Sequence, residues 1–337
     1  MAGIRQLRQI QLGKEAIAGT LTTATTRWRG LGAFTDEREV TFPEEFIGVI
    51  GGGDRSYIAK ASGALTMDDT DATFEQLPHI LIAGIAATTA GVQDGTGSGY
   101  VYTYNIAHST APVIQTYSIR AGDNNQAESM KYAFVQSFSI KGNAGEAVTM
   151  SAEWVGHDIT TATFSTGVTV PEVETILAAK NALFLDTAGG TYGGTPIDMT
   201  LIAFEANFDN LIMPKWVMRP FGDSKTSFAF HYAGNREITG SLTLEHNSTA
   251  ANQIAAFRNQ TPQLMRMYFF GSPMTTGNTY NFKTLHIDLP IKFESLDPLD
   301  DVDGNSIVKL NWRSRYNATA GDAGKFMIVL DGTTSIP

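Results

Sequence analysis

The same short pattern occurs twice in this sequence, and the repeat limits the folds open to the chain. Residues 63–67 read Gly-Ala-Leu-Thr-Met and residues 240–244 read Gly-Ser-Leu-Thr-Leu. The copies lie 240 − 63 = 177 positions apart in a chain of 337 residues. Alternating apolar residues predict a strand in each copy, and apolar residues at helical spacing follow both. The repeat therefore predicts two related halves, each built around one strand that leads into one helix.

The two predicted helices differ in their first turns. Pro78 interrupts the first helical segment, 71–85, and proline inside a helix removes a hydrogen bond. We therefore expect that helix to start near Leu77 with Pro78 in its first turn, or to be kinked. The second segment, 248–260, has Ser248 as its predicted N-cap. Its predicted apolar face comprises Ala251, Ile254 and Phe257.

Each half also contains a stretch of strict alternation that predicts a hairpin with one buried face. In the first half the predicted face holds Tyr132, Phe134, Gln136, Phe138 and Ile140. The predicted core positions of the two hairpins are Val148, Met150 and Trp154 in the first half and Val308, Leu310 and Trp312 in the second. Trp154 and Trp312 occupy the same place in the two halves.

The chain is predicted to be mainly β. The 33 glycines, together with abundant β-branched and aromatic residues, are typical of strands joined by turns. We expect two tandem β-sandwich or barrel domains, 1–174 and 175–337, each with one short α-helix and a long loop. The long loops are residues 29–58 and 209–227, and each precedes its copy of the repeated strand.

Charge and composition exclude several classes of protein. The chain has 24 basic and 34 acidic residues, a net charge of −10, and no cluster of Lys or Arg. This argues against tight binding of nucleic acid, which needs clustered cations. The sequence contains no cysteine, no secretory signal and no apolar run of the roughly 20 residues that cross a membrane. A soluble protein made in a cytoplasm, with no membrane partner, is the expectation.

Enzyme and metal motifs are absent or incomplete. The Gly-rich segment 48–53 lacks the Lys-Ser/Thr of a phosphate-binding loop, and the six histidines show no metal-ligand spacing. Residues 297–305 resemble a calcium loop but lack oxygen ligands at its first and twelfth positions. Asp303-Gly304 is better interpreted as a turn, although a weak cation at Asp301 and Asp303 stays open. We predict no enzymatic activity, no catalytic or metal site and no cofactor.

Two segments carry a resemblance to a known family. Residues 63–78, which hold the first strand and Phe74-Glu75-Gln76-Leu77-Pro78, and residues 236–245 resemble the tail tube (major tail) proteins of long-tailed bacteriophages. The order of elements resembles that family over nearly the whole chain. The family has no invariant catalytic motif, so the resemblance is one of pattern.

The resemblance implies a structural role in the virion. It implies rings with a continuous inner β-barrel, stacked into a hollow tube that conducts genomic DNA without binding it specifically. A chain with two such domains implies a trimeric, pseudo-hexameric ring. The implied partners are other copies of the chain, the tape measure protein, the tail terminator and baseplate or distal tail proteins, with assembly in the host cytoplasm.

In a tube of this kind the two long loops would form the contacts between stacked rings. The candidate stacking residues are Phe42, Glu44, Glu45, Phe46, Lys215, Trp216 and Met218. Acidic side chains on the lumen would repel DNA phosphates over a screening length of about 8–10 Å.

The alternative class is a carbohydrate-binding or adhesin-like β-sandwich, which would stay a monomer or small oligomer. A β-rich hydrolase lacks a nucleophile and base, and a capsid protein would need a long helix.

Overall fold

A computed structural model of the chain describes residues 3–197, 199–209, 212–220 and 225–337. The described residues form 23 β-strands, two α-helices and one 3-10 turn, Arg5–Leu7. The prediction of a mainly β protein is confirmed.

Twelve strands and one helix lie in the first half of the described chain. They are β1 (Gln9–Lys14), β2 (Thr26–Trp28), β3 (Gly32–Asp36), β4 (Glu39–Thr41), β5 (Tyr57–Lys60), β6 (Gly63–Asp71), α1 (Leu77–Gly84), β7 (Val92–Gln93), β8 (Gly99–Asn105), β9 (Tyr117–Gly122), β10 (Ala127–Asn143), β11 (Thr149–Gly156) and β12 (Thr160–Ala162).

The described second half supplies the remaining elements. They are β13 (Asn181–Thr187), β14 (Pro196–Ile197), β15 (Leu201–Asp209), β16 (Ile212–Lys215), β17 (Phe230–Ala233), β18 (Glu237–Glu245), α2 (Ser248–Arg258), β19 (Gln263–Pro273), β20 (Phe282–Leu296), β21 (Asp300–Val302), β22 (Asn305–Ser314) and β23 (Lys325–Asp331).

One sheet, which we call the central sheet, runs through both halves. Its order is β3, β6, β11, β10, β15, β18, β22 and β20, and every neighbouring pair is antiparallel. The ladder between β10 and β15 joins the halves, with Phe138 directly opposite Phe208. Their rings are stacked with centroids 4.6 Å apart. Each half therefore covers a strand edge of the other, which would otherwise be exposed.

The central sheet contains the same four-strand order twice. In each set the second strand is the repeated one, β6 or β18, and the chain continues from it into a helix. That strand pairs with the tryptophan strand, β11 or β22, which in turn pairs with a long strand, β10 or β20. Trp154 lies opposite Leu65, and Trp312 lies opposite Gly240. The six hairpin core positions named from the sequence are all buried: Val148, Met150, Trp154, Val308, Leu310 and Trp312.

The long strands β10 and β20 each belong to two layers. The first part of β10 pairs with β9 and β12, and the second part pairs with β11 and β15. The first part of β20 pairs with β19 and β23, and the second part pairs with β22. A bulge interrupts each strand, between Val135 and Ser137 and between Phe293 and Ser295. Bulges bend a strand, so each long strand passes from one layer to the other.

The bulge corrects one sequence prediction. Tyr132 and Phe134 were expected to share a face with Phe138 and Ile140, but they pack in a separate apolar cluster with Phe228 and the buried Ile212. The extra residue, Gln136, reverses the alternation between the two pairs. A prediction of buried faces from strict alternation fails across such a residue, because alternation assumes that the ladder is uninterrupted.

The helices lie against the long strands and show where the sequence prediction was accurate. α1 begins at Leu77 with Pro78 in its first turn, as expected, and all its side chains are buried. For α2 the predicted N-cap, Ser248, is wrong by one residue. Asn247 is the N-cap, and its side chain accepts hydrogen bonds from the backbone N–H groups of Thr249 (2.9 Å) and Ala250 (3.1 Å).

The buried face of α2 also differs from the prediction. Ala250 and Gln253 are buried, whereas Ala251 is exposed. Ile254 and Phe257 are half-buried and pack against the core. The face is rotated because Gln253 is held inside the protein by a hydrogen bond of 2.9 Å from Gln263, a pairing that apolar periodicity does not reveal.

The layer outside the central sheet also connects the two halves. The last strand of the chain, β23, pairs with β20 on one side and with β8 of the first half on the other. The main core cluster accordingly contains residues from both halves, from Ile10 to Ile336. The division of the chain at 174/175 stays a prediction.

Candidate assembly surfaces

The central sheet has one apolar face, which packs on the core, and one polar face. Hydrogen bonds between side chains link neighbouring strands across the polar face. Ser139 and Ser151 lie 2.8 Å apart (Oγ to Oγ), and Thr66 Oγ1 donates to Glu153 Oε2 at 2.8 Å. The polar face extends without interruption from the first half into the second, because β10 and β15 belong to one ladder.

Acidic residues outnumber basic ones on this polar face. Lys141 pairs with Asp69 at 2.5 Å, and Arg313 pairs with Glu237 and Glu294. Further acidic side chains lie between these pairs, so the face as a whole is negative. The acidic residues on its strands include Asp68, Asp69, Glu153, Glu205, Asp209, Glu237 and Glu294, and the basic ones are Lys141, Lys292, Lys309 and Arg313.

The two outer strands of the central sheet have open edges. Among the described residues, β3 pairs with β6 alone, and a cleft of about 360 Å³ lies beside its segment 30–34. At the other end, within the described part of the chain, β21 pairs with β22 alone, and the final residues of β20 pair only with β22. An unpaired edge presents a row of N–H and C=O groups that can bind another strand.

Two hairpin arms extend from one end of the central sheet, which we call the arm end. Arm 1 is the segment 37–62, with β4 and β5 at its base, and arm 2 comprises the described segments 212–220 and 225–236, with β16 and β17. They occupy the same place in the two halves, between the first and second strands of each four-strand set. Where the structure describes them, the long loops expected at 29–58 and 209–227 are therefore partly regular structure, including β3 itself. Residues 210–211 and 221–224 of the second loop lie outside the described residues.

The arms carry the predicted stacking residues. Phe42 and Phe46 are 75 and 93% exposed in arm 1, and Met218 in arm 2 is fully exposed. Glu44 and Lys215 are exposed, and Glu45 is half-buried and pairs with Arg55 at 3.0 Å. Exposed apolar residues cluster further along arm 1 at Ile47, Val49 and Ile50. A patch of this kind on a folded protein marks a contact surface.

Trp216 differs from the other predicted stacking residues because its ring is half-buried. It packs against Phe228, and its Nε1 donates to the carbonyl of Thr226 at 3.2 Å. Lys60 of arm 1 lies over the same ring, with Nζ 5.7 Å from the centroid, and Ala61 N donates to Thr226 O at 3.2 Å. Trp216 therefore holds the bases of the two arms together.

His157, one of the six histidines of the chain, packs among aromatic rings. His157 stacks on Tyr132 and packs edge-on against Phe228, and burial lowers its pKa to about 4. The described residues contain no group of three His, Cys, Asp or Glu placed to hold a metal ion.

Asp303 and Gly304 form the two-residue turn between β21 and β22, both with positive φ, so the turn interpretation is confirmed. In the described part of the chain, neither helix has the length and apolar character to span a membrane.

The described structure is that of a β-rich subunit suited to assembly with copies of itself. Its polar sheet face continues from one half into the other, its central sheet has two open edges, and its two arms expose apolar residues. The comparison with known families agrees with this class. A family model described as phage tail tube protein matches residues 6–311. A search of curated proteins finds no significant match.

The chain belongs to the phage tail tube protein family. Membership makes it a structural component of the virion that assembles into a tube, in a family without enzymatic activity. The family resemblance noted in the repeated segments is thereby confirmed.

Proposed function

We propose that three copies of the chain close into a pseudo-hexameric ring, and that stacked rings form the tube through which genomic DNA passes during infection. The observation that carries this proposal is the ladder between β10 and β15. It joins the last strand of one four-strand set to the first strand of the next set in the same chain. The same rule, applied between chains, pairs β20 and β21 of one copy with β3 of its neighbour.

When that contact is repeated around a threefold axis, both open edges of every copy are paired with a neighbouring copy. Three sets of eight strands give a closed barrel of about 24 strands, with a backbone diameter of roughly 37 Å or more at a strand spacing of about 4.8 Å. The apolar face of the sheet packs outward on the core of each chain, so the polar face lines the lumen. A net negative lining repels phosphates at short range, which lets DNA move without specific binding.

The ring arrangement also assigns a role to the two halves, to the arms and to the ends of the tube. The two halves act as tandem tube domains, and both arms extend from one end of the ring toward the next ring. The ends of the tube would meet the tape measure protein, the tail terminator and the baseplate or distal tail proteins of a long-tailed phage, after assembly in the host cytoplasm. A carbohydrate-binding or adhesin-like role is less well supported because the family is that of tubes.

Cysteine cross-linking tests the edge pairing, since the natural chain contains no cysteine. Thr35→Cys in β3 is combined in turn with Asp297→Cys, Leu299→Cys or Asp301→Cys. We expect a disulfide between chains for at least one pair in assembled protein. Lys141→Cys with Glu205→Cys is the positive control, because these residues face each other within the chain. Thr35→Cys with Ser151→Cys, which are separated by β6, is the negative control.

Negative-stain microscopy and native mass spectrometry complete the test. Rings with the mass of three chains, stacked into tubes, are expected. Rings of six chains would contradict the trimer, and tubes without any interchain disulfide would contradict the edge pairing. Only small particles at every concentration would contradict the tube itself for this protein in isolation.

A further inference from the structure

A cleft at the arm end holds a largely buried guanidinium group that has no carboxylate partner among the described residues. The cleft encloses about 480 Å³ between the segments 106–112, 233–238 and 314–316. Arg236 lies in it, just before the repeated strand β18. No local sequence pattern indicates this burial, because three distant segments are needed to produce it.

Only part of the Arg236 side chain is hydrogen-bonded. Nη2 donates to the carbonyls of Gly84 (3.4 Å) and Ile85 (3.3 Å) at the end of α1. Nη1 is buried and has no hydrogen-bond partner among the described residues. Burial lowers the pKa of the guanidinium to about 10, so it stays charged at neutral pH. A buried charge without a counterion is unfavourable, and an anion in the cleft would remove that cost.

The lining of the cleft suits an anion. Arg315 and His108 line it together with Arg236, and none of the described lining residues is acidic. The nearest acid in sequence, Glu237, points to the polar face of the sheet, where it pairs with Arg313. In a protein of net charge −10, a cleft with two arginines and no acid is complementary to the rest of the surface.

The opposite end of the central sheet carries an acidic turn. Asp300, Asp301 and Asp303 lie at the tip of the β21–β22 hairpin, and all three are exposed. Because β18 and β22 are antiparallel, with Thr239 opposite Arg313 and Glu245 opposite Ile307, this turn and the cleft lie at opposite ends of the same strands. When rings stack head to tail, the arm end of one ring faces the turn end of the next.

We propose that the Arg236 cleft binds the acidic turn 300–303 of a second copy of the chain in the adjacent ring. This contact rests on the proposed tube and specifies which surfaces join its rings. Arg236 and Arg315 pair with Asp301 and Asp303, and the contact supplies the missing hydrogen-bond acceptor for Nη1.

Two other segments are less suitable occupants. Glu44 and Glu45 lie in arm 1, which extends from the same end as the cleft, and Glu45 is already paired with Arg55. The turn 142–146 of the first half lies at the turn end but has one acid, Glu146, which accepts a hydrogen bond from Asn143 at 2.9 Å. The turn 300–303 combines the right end of the sheet with three exposed carboxylates, of which that of Asp300 accepts a hydrogen bond from Asp301 N at 2.9 Å.

A cysteine pair that leaves every charge in place tests the contact. Asn235→Cys lies on the rim of the cleft, and Val302→Cys lies in the acidic turn. We expect oxidation of assembled tubes to give a ladder of disulfide-linked chains on a non-reducing gel, and dispersed protein to give none. Asn235→Cys with Ala144→Cys, in the corresponding turn of the first half, is the matched control. A ladder in the control instead, or in neither variant, would overturn the proposal.

Charge removal gives a second, independent measurement. Asp301→Asn with Asp303→Asn removes two exposed carboxylates and leaves the backbone of β21 unchanged, and Arg236→Gln changes the cleft. We expect each to raise the protein concentration needed for tubes by about tenfold or more while rings still form, as for a truncated interfacial charge pair. If the turn variant assembles as the unaltered chain does, the proposed contact is wrong, but the proposed tube is not contradicted. Failure of the unaltered chain to form tubes would instead count against the proposed function.

Discussion

At the scale of single residues, the repeated glycine has a packing role. A Cβ atom added to Gly240 would lie 2.1 Å from the carbonyl oxygen of Glu205 and 2.4 Å from Cζ2 of Trp312. One added to Gly63 would lie 2.7 Å from Cγ1 of Ile159. Both glycines therefore allow a close approach, of Ile159 to Gly63 and of β15 and Trp312 to Gly240. In the second half that approach places the largest core side chain, Trp312, against the backbone of the repeated strand.

Gly240→Ala should destabilise the protein. The backbone of β15 and the indole ring cannot both move away from the added methyl group, so we expect a loss of about 1–3 kcal/mol in the free energy of unfolding. Chemical denaturation of unassembled protein measures it. Gly51→Ala is the control, because its Cβ would meet nothing within 4 Å. Equal stability of the two variants would show that Trp312 repacks freely.

At the scale of elements, the sequence predicts strands and helices well and their caps less well. Local patterns are sufficient to predict the repeated strands, the hairpins and the start of α1, because apolar side chains alternate or recur within a few residues of each other. The N-cap of α2 depends on which of two adjacent polar residues turns inward. Asn247 does so because its side chain also donates to Thr200 Oγ1 at 3.1 Å, a partner 47 residues away.

Asn247→Ala should weaken α2, whereas Ser248→Ala should have little effect. Loss of the N-cap leaves the backbone N–H groups of Thr249 and Ala250 without their acceptor and should cost about 1 kcal/mol. The exposed Ser248 makes no cap, so its substitution should stay within about 0.5 kcal/mol. Thermal unfolding of both variants makes the comparison. A larger loss for Ser248→Ala would restore the original sequence interpretation.

At the scale of the whole molecule, the sequence shows that there are two halves but not how they join. The ladder between β10 and β15 connects residues at least 60 positions apart, and the ladder between β8 and β23 connects residues more than 200 positions apart. Neither leaves a local pattern. The Arg236 cleft escaped prediction for the same reason. The sequence predicts long loops at these places from their length, but it does not predict the shared base of the arms at Trp216, because that base depends on Lys60 and Thr226 meeting in space.

The exposed apolar residues of arm 1 lead to a prediction about stacking. Phe46 and Ile50 are nearly or fully exposed in the single chain, and burying such a side chain contributes about 1.5–3 kcal/mol. If arm 1 lies against the adjacent ring, the variant Phe46→Ser with Ile50→Ser should still form rings, because β3 and β21 are untouched. It should form few tubes, which sedimentation and electron microscopy can quantify. Val92→Ser, an exposed apolar residue of β7 outside the arms, should stack normally. Tubes of normal length from the arm variant would mean that the rings are joined elsewhere, and the Arg236 cleft would then have to carry the contact alone.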